Sequence, residues 1–139
     1  MKTQNYNNHS QYVPVYHFIV LPICLICIGF AAMNLSNGIN KPSLVLLLLS
    51  IAVTVGFVYL RYFALVAQDR AIRAEENLRH FTMTGKLLDK GLRINQITAL
   101  RFADDREFIE LAENASKNNM SSKEIKMAVK NWRADHNRA

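Results

Sequence analysis

Two uncharged apolar runs dominate the first half of the chain. Residues 18–33, FIVLPICLICIGFAAM, form the first, which lengthens to about twenty with flanking Val13, Tyr16 and Leu35. Residues 44–60, LVLLLLSIAVTVGFVYL, form the second. A helix needs about twenty apolar residues to cross the hydrocarbon core of a bilayer, with roughly 17 to 25 tolerated. Both runs therefore predict membrane-spanning helices. Pro22 would break a helix in water, but neighbouring helices can satisfy the freed carbonyl in a bilayer. Ser50, Thr54 and Gly56 predict small or hydrogen-bonding contacts between helices. The intervening NLSNGINKP, residues 34–42, is rich in turn formers and too short for anything but a tight connection.

The second run passes into charged sequence with no Gly or Pro before Gly85, so one helix should continue out of the span as a stalk. Leu60, Ala64, Ala67, Ala71, Ala74, Leu78 and Phe81 then recur at alternating spacings of four and three. That is a seam of about three heptads, the low end for a coiled coil. Two readings of it stand open: a second copy packs along it, or the chain's own C-terminal helices fold back onto it. Asp69 with Arg73 and Glu75 with Arg79 are spaced to pair along the remaining face.

Three short helices are expected after Gly85. Leu92, Ile94, Ile97 and Leu100, with Phe102, mark the first. Asp104 followed by Glu107 looks like a capping box for the second, with Phe108, Ile109, Leu111, Ala112 and Ala115 along one side. Ser121 and Glu124 repeat the device for the third, which is read as running through NWRADHNRA with Ile125, Ala128, Val129 and Trp132 as its buried stripe. About fifty-five residues make a small core, so docking on the stalk, the membrane or a partner is expected. Lys123, Lys126, Lys130 and Arg133 would form a basic stripe on that last helix.

Charge sets the direction. All 11 acidic residues of the 139-residue chain lie at or after Asp69, and before it the only formal charges are Lys2, Lys41 and Arg61. Cations beyond the second run outnumber the single Lys41 of the connection, which places both ends in the cytoplasm. Tyr12, Tyr16 and Phe18 with Tyr59, Tyr62 and Phe63 fall at that same face, as an aromatic belt would. A cleaved signal peptide is the rival for the first run, but its leading region would be long with one Lys, and FAAMN is a poor cleavage site.

Chemistry is sparse. Cys24 and Cys27 read as small apolar residues of a membrane helix, a redox or metal pair being the alternative. His9, His17, His80 and His136 have no ligand partner at i+3 or i+4, and TGK at residues 84–86 lacks the glycine-rich loop of a phosphate-binding motif. No set of residues supplies nucleophile, base and orienting group together. No enzyme and no cofactor is therefore expected. The basic stripe could face water, anionic lipid or nucleic acid; nucleic acid is the least supported, since only Trp132 interleaves it and no recognition fold is evident.

The stretches QNYNNHSQYVPVYHF, AQDRAIRAEENLRHF, TGKLLD, ALRFADD and KNWRADHNRA together resemble an uncharacterised family of small bacterial membrane proteins, over essentially the whole chain. The resemblance implies a bacterial protein with two spans and implies no activity. The expected architecture is all-α: a polar segment at residues 1–12, a transmembrane hairpin at 13–66 with spans at about 16–35 and 43–66, a stalk at 67–83 and a cytoplasmic helical domain at 84–139. The expected function is a non-enzymatic interaction or assembly subunit of the bacterial inner membrane. Its candidate surfaces are Ala64, Ala67, Ala71, Ala74 and Leu78 on the stalk, and Lys126, Lys130, Trp132 and Arg133 at the end. The expected partners are membrane lipid and either another membrane protein or a second copy. The alternatives are a redox, metal or haem protein using Cys24, Cys27, His17 or His80, and a lipid- or nucleic-acid-binding regulator.

Overall fold

A computed structural model of the chain describes residues 4–8 and 12–135. The fold is all-helical: α1 Leu21–Ser36, α2 Lys41–Thr84, α3 Ile94–Leu100, α4 Asp105–Lys117 and α5 Ser122–Ala128, with a π-helical turn Tyr16–Val20 before α1. These residues form two compact units, one from 12 to 64 and the other from 65 to 135 together with 4 to 8.

In the first unit, Pro22 shapes the entry to α1. Its ring would press on the Phe18 carbonyl of a regular turn and it has no N–H to give. The turn widens instead, and the Leu21 N–H closes on the Tyr16 carbonyl five residues back. Asn40 caps α2, its Oδ1 accepting from the Ser43 N–H at 2.8 Å, with Pro42 in the first turn where its missing donor costs nothing. The Tyr16 hydroxyl donates to the Phe57 carbonyl at 3.3 Å, and the Arg61 guanidinium lies 5.7 Å from the Tyr16 ring. The helix contacts expected from small residues differ: Ser50 donates to Leu46 O and Thr54 to Ser50 O, within their own helix, and Gly56 faces open space. Short hydroxyls find the carbonyl four residues back before they find a neighbour.

α2 is unbroken over 44 residues, about 66 Å at 1.5 Å per residue. It stops at Gly85, whose φ of +72° closes its N–H onto Phe81 O, a conformation that glycine adopts without strain.

In the second unit, α3, α4 and α5 enclose a core of Leu92, Ile97, Leu100, Phe108, Ala115 and Ile125, joined by Leu88 and Val129. Asp104 caps α4 by accepting from the Arg106 N–H, and Ser121 with Glu124 forms the expected reciprocal box at α5. Gln96 is buried but satisfied, since its Nε2 donates to Met120 O at 2.7 Å and its Oε1 accepts from the Arg93 N–H.

The last helix is shorter than expected. It ends at Ala128, and Val129 is already extended at φ −64°, ψ 120°. Glu107 does not close a box on Asp104; its two carboxylate oxygens accept from the N–H groups of Lys130 and Asn131. Residues beyond lie antiparallel to 102–104: Ala103 and Trp132 form a bridge, Asp104 N–H donates to Asn131 O, and Arg133 N–H donates to Phe102 O at 2.8 Å. Trp132 stacks on Phe102 at 4.9 Å. Tertiary hydrogen bonds thus outcompete helix continuation, and Ala128, expected in the buried stripe, is exposed.

Candidate functional site

The part of α2 past Leu65 has two faces of different use. At 100° per residue, Ile72, Glu76, Arg79 and His80 share one side, and the helical domain docks there. Ile72 is 6% exposed and Glu76 is buried. Arg79 joins the pieces: its Nε donates to Asp105 Oδ1 at 2.8 Å, one terminal nitrogen to Glu76 Oε2 at 3.0 Å, and the other to Ala103 O at 2.8 Å. Its guanidinium also lies 4.2 Å from the centre of the Phe108 ring. Five donors in one planar group let a single side chain hold Glu76 of its own helix, the Ala103 carbonyl and the Asp105 carboxylate at the start of α4 together. His80 packs edge-on to Phe108, and its Nδ1 is 2.7 Å from Lys86 O. Asn77 Oδ1 accepts from the Leu88 N–H, tying down the returning chain.

The seam is elsewhere. Ala67, Ala71, Ala74, Leu78 and Phe81 lie on the opposite side of α2 and are exposed, Leu78 at 63%; Ala64, in the other unit, is exposed as well. Of the two readings of the seam, fold-back of the chain's own helices is therefore not what the structure adopts, because the domain docks on the other face, around Ile72, Glu76, Arg79 and His80. The expected i, i+4 pairs also rearrange. Among the described residues neither Asp69–Arg73 nor Glu75–Arg79 is an ion pair, and Arg79 bonds Glu76 and Asp105 instead.

The terminal basic stripe does not form on one helix. Lys126 lies on α5 with its ammonium 5.9 Å from the Phe102 ring, whereas Lys130 and Arg133 belong to the extended segment after α5 and spend their N–H groups on Glu107 and Phe102 O. Trp132 is half-buried. The Trp132 ring and the backbone of Lys130 and Arg133 thus fasten the terminal segment to the domain.

Arg101 is buried, and its Nε lies 3.2 Å from Asp135 Oδ2; the Asp135 N–H donates to Gln4 Oε1 at 2.8 Å. The N-terminal segment is thereby tied to the end of the chain, a link between residues 131 positions apart that no local pattern announces.

Cys24 is buried and Cys27 exposed, both lining an apolar cleft of about 410 Å³ with Ile23, Leu49, Ser50 and Phe57. His17 keeps its Nδ1 2.9 Å from Val13 O and stacks edge-on with Tyr12 and Tyr16. His9 and His136 lie outside the described residues. Among the described residues, no three His, Cys, Asp or Glu side chains are grouped as metal ligands would be.

An open groove of about 570 Å³ runs beside α2, lined by Arg70 and Arg73, with Asp69 and Asn77, over Val66, Ala74 and Ile94. Spacing alone would not reveal it, since Ile94 comes from α3.

Fold and surfaces together define an all-helical protein in which two helices, Tyr16–Ser36 and Lys41–Thr84, are long and apolar enough to cross a membrane. The chain belongs to the family of unknown function DUF6526, whose model matches residues 1–139. No curated protein and no solved structure matches it.

Proposed function

We propose that the chain is a two-span protein of the bacterial inner membrane, with both ends in the cytoplasm, acting as a non-enzymatic accessory subunit that assembles through the alanine seam. The observation that carries this reading is the division of labour on α2: the domain occupies the side of Ile72, Glu76 and Arg79, and the alanine seam is left open. Four alanines at alternating three- and four-residue spacing permit close approach of another helix. The apolar surfaces of Tyr16–Ser36 and of the first half of α2 support lipid as their solvent, because their side chains are mostly turned outward. Cation distribution supports the orientation.

The test is crosslinking in native membranes. Ala71→Cys and Ala74→Cys are introduced singly into a Cys24→Ser/Cys27→Ser background, with Lys90→Cys, exposed on the domain, as the control. Expected is a discrete crosslinked species, self or heterologous, from the two seam positions and none from Lys90→Cys. A monomer at every position overturns the assembly role. Tags on the two ends reporting from opposite compartments overturn the topology.

A further inference from the structure

We propose that the groove beside α2 holds the phosphate of an anionic phospholipid from the adjoining leaflet, an inference that rests on the two-span reading. Arg70 and Arg73 are three positions apart, so they rise from the same side of the helix. Both are exposed, and among the described residues neither is in an ion pair. Guanidinium groups are suited to phosphate because their planar donors meet two oxygens at once.

The rest of the lining fits a lipid better than a free anion. Val66 lies on the bilayer side of the two arginines, where a glycerol backbone and the first acyl carbons would cover it and inorganic phosphate would not, while Ala74 and Ile94 close the groove on the far side. Asn77 has both ends of its amide engaged, by Arg73 O and the Leu88 N–H, so it shapes the groove and leaves the anion to the arginines. Asp69 is the one acid in the lining and opposes the ligand.

Position along the helix agrees. Val66 ends the span expected at 43–66, and Arg70 and Arg73 follow it by about 6 and 10 Å of helix. Arg70 thereby falls within a headgroup layer roughly 5–8 Å deep and Arg73 just beyond it, both within about a Debye length, where an anionic surface still attracts a cation.

The experiment uses the full chain purified in neutral detergent, with native mass spectrometry counting retained lipid. The probes are phosphatidylglycerol, phosphatidylcholine and inorganic phosphate. Expected is retention of phosphatidylglycerol over phosphatidylcholine by on the order of tenfold, falling to near parity in Arg70→Gln/Arg73→Gln. Asp69→Asn should raise the preference, since it removes a like charge and leaves both guanidiniums in place. Unchanged emission from Trp132 shows that each variant is folded. The inference is overturned by parity in the wild type, by a preference that survives the double variant, by Asp69→Asn lowering it, by inorganic phosphate binding as tightly as the lipid, or by nucleic acid co-purifying in its place. Solubility without detergent, scored before lipid is added, would overturn the two-span reading itself; a chain that needs detergent but ignores headgroup charge overturns only the groove.

Discussion

Phe108 in the helical domain is 0% exposed and Phe30 in α1 is 65% exposed. The two residues are chemically identical and the chain treats them in opposite ways. Around Phe108 the domain closes a core from three short helices, the Arg79 guanidinium and the His80 ring. Around Phe30 the unit offers no comparable enclosure: Phe18, Leu25, Ile26 and Met33 are exposed with it. Water drives the first arrangement, because each buried apolar side chain stabilises a fold by about 1.5–3 kcal/mol. In the second, that drive is met by surroundings outside the chain or not at all.

The contrast is sharpest under truncation. Phe108→Ala should cost the domain about 3–5 kcal/mol, read as a shift in the denaturant midpoint of Trp132 fluorescence in the full chain. Phe30→Ala should leave that transition within about 0.5 kcal/mol, and equal effects would erase the distinction between the units. Next comes Arg79→Ala, which strands the buried Glu76 carboxylate and should cost about 3 kcal/mol; Glu76→Leu/Arg79→Leu should recover most of it. Glu107→Ala frees two backbone donors at Lys130 and Asn131 and should cost about 1–2 kcal/mol. It should also redden Trp132 emission as the terminal segment loosens.

The smallest effect expected is on acid stability. Asp89 is held below the ordinary carboxylate range by the Ser116 hydroxyl first and the Gly91 N–H second. Glu124 is held down by the backbone N–H and then the hydroxyl of Ser121. Because the folded values lie below the unfolded ones, these contributions are complete above the unfolded carboxylate pKa and disappear as pH falls through the lowered folded values. Asp89→Asn/Glu124→Gln should flatten the acid limb of midpoint against pH; an unchanged limb would remove both groups from that account.

Local devices were legible in the residues. The stop at Gly85, the cap at Asp104 and the box of Ser121 with Glu124 involve groups within four positions of each other, so sequence spacing and geometry coincide. Where the structure departs from the spacing, a distant group intervenes. Lys130 and Arg133 continue a helical spacing from Lys126, yet Glu107 and Phe102 O claim their N–H groups from across the domain. Glu75 and Arg79 are spaced to pair, yet Arg79 bonds the buried Glu76 and reaches Asp105 from across the domain instead. Of the candidate surfaces, the alanine seam was visible as a period, and the groove of Arg70 and Arg73 was not, for Ile94 completes it from another helix.

By itself the order of residues determined an all-helical chain, the run of α2 through 44 residues and the segregation of charge from apolar length. Those follow from propensity and hydrogen bonds to near neighbours. Only the tertiary structure decided which side of α2 the domain takes, that the seam stays open, and that the chain after Ala128 leaves its helix. Such choices depend on which remote groups satisfy buried donors and acceptors, and periodicity carries no record of that.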